Sequence, residues 1–125
     1  MRLLLLAVAG GALGSGARYL VNVWAARSLG AGFPWSTLIV NVVGCAAMGI
    51  LAEVVMHRLD GSPAWRAFLA TGILGGFTTF SAFALDFAAL TRTGELAPAL
   101  IYVALSVALS LAGVFAGLAI GRALI

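Results

Sequence analysis

Apolar residues fill four long stretches of the chain, and short turns separate them. The stretches cover roughly residues 3–26, 35–56, 64–90 and 97–121. Each reaches or exceeds the ~20 residues that a helix needs to cross the ~30 Å hydrocarbon core of a bilayer. The turns carry glycine, proline and polar residues, and they are too short to hold a soluble domain. The pattern predicts one all-α membrane domain, residues 1–125, with four transmembrane helices.

The first apolar stretch also has features of a secretory signal sequence. Arg2 precedes a run of leucines and then small residues, with a possible cleavage point near Ala17. The apolar run resumes from Tyr19 to Ala26, so the complete stretch is long enough to span a membrane. We therefore expect it to be retained as the first helix.

Composition and charge agree with a membrane protein. The chain is 63% hydrophobic and 9% charged, which is too little charge for the surface of a soluble domain. Its seven basic residues are all arginine, and they are scattered rather than gathered in a patch. This distribution argues against nucleic acid as a partner and favours the lipid bilayer or an anionic solute. The arginines divide almost evenly between the two predicted membrane faces, so the orientation bias is weak.

Residues 72–83 are unusual for the middle of a transmembrane segment. They read Gly-Ile-Leu-Gly-Gly-Phe-Thr-Thr-Phe-Ser-Ala-Phe. Irregular or polar backbone at membrane depth is tolerated only where protein buries it or where it lines a wet cavity. Gly75 and Gly76 can break the helix and free carbonyls, which suit a hard cation, or amides, which suit an anion. We expect a pathway or binding site here.

Two other predicted helices carry polar stripes at four-residue spacing. Thr37 and Asn41 share a face of the second helix, and Tyr102, Ser106 and Ser110 share a face of the fourth. An intramembrane asparagine often only joins helices, and a single serine often bonds its own backbone. Because several helices offer matching stripes, a pore-facing role is the stronger interpretation.

Phe80, Phe83 and Arg18 complete the candidate residues. The two phenylalanines are three positions apart, so they lie near one face, either as core packing or as rings whose positive edges attract an anion. Arg18 lies well inside the first span, where a guanidinium is costly. Its side chain either snorkels to the interface or binds carbonyls of a neighbouring helix, or it raises the potential at the mouth of an anion route.

Small residues at four-residue spacing allow close helix contacts, notably Gly113, Gly117 and Gly121. Spacing alone leaves open whether this last set packs inside one chain or forms a dimer interface. The sequence carries no enzyme signal, since His57 stands alone and no two carboxylates are suitably paired.

Three blocks of sequence together resemble the small bacterial CrcB/Fluc fluoride channels over essentially the whole chain. The first runs from Gly10 to Tyr19, the second from Thr37 to Gly44, and the third from Gly75 to Phe83. The resemblance implies a fluoride-selective channel of the bacterial inner membrane that passively exports fluoride. It also implies an antiparallel, dual-topology homodimer with a broken third helix and two pores.

The resemblance further implies roles for individual residues. The fluoride pore would contain Asn41, Phe80 and Phe83, with a polar track at Thr37, Tyr102, Ser106 and Ser110 and a vestibule arginine at Arg18. A structural sodium ion at the dimer interface would be held by the backbone carbonyls of Gly75 and Thr78.

Two rival hypotheses remain at the level of sequence. A small four-helix, dual-topology exporter of cationic drugs would have a similar size, but it typically needs a carboxylate in mid-span for proton coupling. Asp86 comes closest, and it falls late in the third segment. A purely structural membrane subunit would leave the aligned Thr37, Asn41 and phenylalanines without a role.

Overall fold

The computed structural model describes all 125 residues, and its regular structure is entirely helical. The first two helices are α1 (Arg2–Ser28) and α2 (Trp35–Arg58). The third span, Pro63–Arg92, is divided, and the chain closes with a helix at Leu96–Leu124. These four segments are long and apolar enough to cross a membrane, and their ends lie within three residues of the predicted ones. The predicted all-α class with four transmembrane helices is confirmed.

The third span consists of four consecutive pieces. It begins with a short α3 (Pro63–Trp65), continues as a π-helical stretch (Arg66–Leu74) and then as α4 (Gly75–Phe77). After an interruption, α5 (Ser81–Arg92) completes the span, and α6 is the helix at Leu96–Leu124. In the π-helical stretch the Gly75 amide donates to the Ala70 carbonyl, five residues back. Nothing in the apolar pattern predicted this wider winding, which elsewhere marks functional sites.

The break in the third span exists as predicted, but not at the two glycines. Gly75 has helical dihedral angles, φ −63° and ψ −38°, whereas Thr78 is extended at φ −88° and ψ 160°. The expectation that Gly75 and Gly76 themselves break the helix is therefore wrong. Gly76 serves close packing instead, because a Cβ on it would lie 2.7 Å from the Gly11 carbonyl oxygen. We call residues 78–80 the break.

A seam of four glycines joins α1 to the first half of the third span. The seam consists of Gly10 and Gly14 on α1 and of Gly72 and Gly76 across from them. A Cβ on Gly72 would lie 2.8 Å from the Gly10 Cα atom, so the backbones themselves are in contact. We call this contact the glycine seam; such small residues let membrane helices approach closely where burial of apolar area gives no driving force.

The second close contact joins α2 to α6. It involves the stripe of Gly113, Gly117 and Gly121, for which the sequence left internal packing and a dimer interface open. Gly117 faces the Ala46 carbonyl, and a Cβ on it would lie 3.1 Å from the Gly49 Cα atom. Gly113 and Gly121 also face α2. The stripe therefore packs inside the chain rather than against a second subunit. At the end of this pair Arg122 Nε lies 3.2 Å from Glu53 Oε1.

Candidate functional site

A cavity of about 520 Å³ lies beside the break, between α2, the third span and α6. Seven of the predicted site residues line it: Asn41, Gly75, Thr78, Phe80, Phe83, Ser106 and Ser110. The tertiary structure thus brings together residues from three separate polar segments of the sequence. No charged side chain lines this cavity, so its polar groups are hydroxyls, one amide and backbone.

Asn41 makes a reciprocal pair of hydrogen bonds with the break. Its Nδ2 donates to the Thr79 carbonyl oxygen and the Thr79 amide donates to its Oδ1, each over 2.8 Å. Thr79 lies in the interruption between α4 and α5, where no helical partner serves its backbone. Asn41 therefore joins two helices as well as lining the cavity, and its pore role stays a prediction.

Hydroxyl groups satisfy other backbone atoms around the break. Thr78 Oγ1 donates to the Leu74 carbonyl over 2.9 Å, and the Ala82 amide donates to Thr79 Oγ1 over 3.2 Å. The second bond caps the first turn of α5, where backbone N–H groups lack intrahelical acceptors. Sequence reasoning did not single out Thr79, although it lies inside the irregular stretch of residues 72–83.

The carbonyls of Gly75 and Thr78 have no hydrogen-bond donor in this chain. The hydrogen bonds around the interruption are accepted instead by the carbonyl oxygens of Leu74, Thr79 and Phe80. A carbonyl in the last turn of a helix has no backbone N–H to accept from when the next turn is missing, and it must then bind water, a side chain or an ion. His, Cys, Asp and Glu form no cluster that could hold a metal ion. Backbone oxygens are therefore the groups available for a cation here.

The rings of Phe80 and Phe83 lie together at the cavity, as their spacing predicts. Their centroids are 5.5 Å apart with the planes tilted by 54°. The Phe80 side chain is 79% exposed, whereas Phe83 is half-buried against the apolar core. Phe80 consequently has little packing within one chain, and its edge remains available to a solute or to another subunit.

Ser106 and Ser110 supply hydroxyls from α6, one helical turn apart. Ser106 is buried, and its Oγ has no hydrogen-bond partner in the chain. A buried, unpaired hydroxyl is uncommon, because its desolvation is not compensated. Since Ser106 also lines the cavity, its hydroxyl is positioned to bond a molecule or ion that enters there.

Tyr102 and Thr37 lie outside the lining of this cavity, although both were predicted as part of the polar track. Tyr102 is fully buried, its ring centroid is 5.2 Å from that of Phe83, and its hydroxyl donates to Asp86 Oδ2 over 3.0 Å. Thr37 is buried on α2, one turn before Asn41. The hydroxyl of Tyr102 is thus committed to Asp86, a partner that the sequence spacing did not reveal.

Arg18 is also separate from the cavity. It lies on α1, half-buried, one turn beyond Gly14, and it forms no hydrogen bond or ion pair within the chain. A second, smaller cavity of about 260 Å³ opens where α1 turns into α2, with Asn22, Ser36 and Asp86 among its lining residues. Ser36 donates its hydroxyl to Asn22 across this turn.

The family model for the CrcB-like protein, camphor resistance (CrcB), matches residues 5–118. The chain is 53% identical to the fluoride-specific ion channel FluC of Rhizobium meliloti (strain 1021) over 125 residues, which cover both proteins completely. It is 60% identical to the protein of the same name from Paracoccus denitrificans (strain Pd 1222), over 92% of this chain and 90% of the relative. A relative of that name from Rhizobium etli is 55% identical over 97% of each chain.

Proposed function

The chain belongs to the CrcB-like family, and on that premise we propose that it is a fluoride-specific ion channel. It exports fluoride passively across the bacterial membrane that its four helices span, and so lowers cytoplasmic fluoride. The observation that carries this proposal is the uncharged cavity beside the break, in which the Asn41 amide, serine hydroxyls and phenyl rings meet.

The chemistry of the cavity suits fluoride. Fluoride is small and strongly hydrated, so a pore must replace its water with closely spaced donors. The unpartnered Ser106 hydroxyl and the neighbouring Ser110 hydroxyl are such donors, and the edges of Phe80 and Phe83 attract an anion without binding it strongly. Sites of this kind allow entry and still permit exit, which conduction requires.

We propose that two copies of the chain assemble antiparallel and form two pores. One chain encloses little: only 16 of its 125 residues are buried, and the Phe80 ring is largely exposed at the edge of the cavity. A second copy would close the open side of each pathway. The nearly even division of arginines between the two membrane faces agrees with insertion in both orientations.

A structural sodium ion at the interface of the two copies fits the residues present. The carbonyl oxygens of Gly75 and Thr78 lack donors within the chain, and oxygen ligands suit a hard cation. Two carbonyls make only part of the ligand shell of a cation, so the site requires the second copy for a fuller one. The ion would supply positive charge that holds the two breaks together.

The remaining predicted residues take supporting roles in this proposal. Arg18, which has no partner within the chain, raises the electrostatic potential for anions at the vestibule. Thr37 and Tyr102 continue the polar track beyond the cavity, next to Asp86. An ion channel is not an enzyme, and no residue is assigned a catalytic role.

Export of cationic drugs, the alternative considered from sequence, is not supported. Every relative named above is called a fluoride-specific ion channel. The one acidic group within the third span, Asp86, accepts the Tyr102 hydroxyl and does not line the larger cavity.

Ion efflux from liposomes tests the function directly. Purified protein is reconstituted into vesicles loaded with fluoride or with chloride, and a potassium ionophore removes the membrane potential. We expect rapid fluoride efflux, while chloride leaves no faster than from protein-free vesicles. Fluoride efflux that is absent, or no faster than chloride efflux, would contradict the proposal.

A further inference from the structure

From the contacts of its amide we infer that Asn41 is a positioning residue that determines the geometry of the break. In an uninterrupted helix the Thr79 amide would donate to residue 75 and the Thr79 carbonyl would accept from residue 83. Both bonds are missing, and the Asn41 side chain replaces both over 2.8 Å. A carboxamide can do this because it carries a donor and an acceptor side by side.

A second contact from α2 reinforces the first. Gly44 lies about one turn after Asn41, and a Cβ on it would overlap Thr78 Cγ2. The absent side chain of Gly44 therefore makes room for Thr78 while Asn41 holds the backbone of Thr79. Two neighbouring positions on one face of α2 thus accept two consecutive residues of the break.

This arrangement limits what Asn41 can offer to an anion. Its carbonyl oxygen and one N–H are used by Thr79, and only the second N–H of the amide is left for the cavity. The larger effect of Asn41 is on its neighbours in the third span. The Thr78 carbonyl precedes Thr79 and the Phe80 ring follows it, so one side chain controls the positions of both.

If the proposed function holds, this inference connects its two ion sites. The Thr78 carbonyl belongs to the proposed sodium site and the Phe80 ring to the proposed fluoride pore. Asn41 holds the residue between them, so loss of its amide should weaken sodium binding and fluoride flux together. A residue that only lined the pore would affect the flux alone.

Amide hydrogen exchange on the full-length protein tests the inference without relying on any transport assay. In the unaltered protein, residue-resolved exchange by NMR in micelles should show the Thr79 amide at least about tenfold slower than that of Phe80, for which the chain provides no acceptor. Equal exchange at the two positions would overturn the inference, and this comparison requires no variant to fold.

Three variants then separate the contributions of the amide. Asn41→Ala removes both bonds and should speed Thr79 exchange about tenfold or more. Asn41→Asp retains an acceptor for the Thr79 amide and should keep that amide protected, although it can no longer donate to the carbonyl. Asn22→Ala is the matched control, since Asn22 bonds Ser36 and neither residue lines the cavity beside the break.

The effect of sodium on thermal stability is a second measurement. It should change only if Asn41 positions the proposed sodium site, and not if Asn41 merely joins two helices. The rise in thermal midpoint when sodium replaces a bulky organic cation should shrink in Asn41→Ala and persist in Asn22→Ala. Thr79 exchange in Asn41→Ala within about twofold of the unaltered protein would overturn the inference. Unaltered protein that fails to conduct fluoride would instead contradict the proposed function and leave the exchange result intact.

Discussion

The glycine seam and the break lie in the same span, yet they differ in how their backbone contacts the neighbouring helix. In the seam both backbones are helical, and missing side chains let the two helices touch. At the break the helical bonds are absent, so side chains from another helix must bond the backbone. The seam therefore holds the fold through shape, whereas the break exposes polar groups that an ion can use.

We therefore expect changes in the seam to affect mainly stability and changes at the break to affect mainly transport. A change in the seam meets rigid backbone atoms and should prevent folding. A change at the exposed side of the break meets few atoms of its own chain and should alter transport while the fold survives.

The largest expected effect follows from filling the seam. Gly14→Leu places a side chain against the Ile73 carbonyl and the Phe77 amide, which are backbone atoms that cannot rotate away. We expect a loss of about 3 kcal/mol or more, enough to abolish monodisperse protein in detergent. Size-exclusion chromatography and thermal unfolding measure this.

The matched control for the seam is Gly16→Ala, because a Cβ at Gly16 meets nothing within 4 Å. This variant should elute and unfold like the unaltered protein. If Gly14→Leu were equally well behaved, the backbone contact across the seam would not be what holds α1 in place.

The next effect is large for transport and small for stability. Phe80→Ile removes the phenyl edge at the cavity, and the position is 79% exposed, so the chain loses little packing. We expect fluoride flux to fall to the level of protein-free vesicles with the elution volume unchanged. Phe115→Ile, at a similarly exposed position of α6, should conduct normally. Normal flux in Phe80→Ile would remove the ring from the pore.

The smallest effect concerns a single hydroxyl. Ser106 Oγ has no partner, so Ser106→Ala breaks no hydrogen bond, and we expect unfolding stability within about 1 kcal/mol of the unaltered protein. Fluoride flux should fall only in part, because Ser110 and Asn41 line the same cavity. Ser15→Ala, on the exposed side of α1, provides the comparison in the same efflux assay. A marked loss of stability in Ser106→Ala would mean that the hydroxyl is already bonded in the assembled protein.

The sequence correctly indicated that residues 72–83 are irregular, but the break was expected at the wrong residues within this stretch. Glycine was expected to loosen the helix, because glycine generally does so. Which partner a glycine faces is not encoded nearby: Gly76 meets Gly11, some sixty-five residues earlier in the chain. Tyr102 is similar, since its four-residue spacing from Ser106 indicated a shared face but not the bond to Asp86.

The sequence alone was enough to predict the four spans, the all-helical class and the segments that carry polar groups at membrane depth. Hydropathy and length suffice for these, because every residue makes its own contribution to the transfer from water to lipid. The folded chain was needed to show where the third helix breaks, which glycines form close contacts and what the Asn41 amide bonds. Those features depend on which backbone lies across from a given side chain, and that neighbour comes from a distant part of the chain.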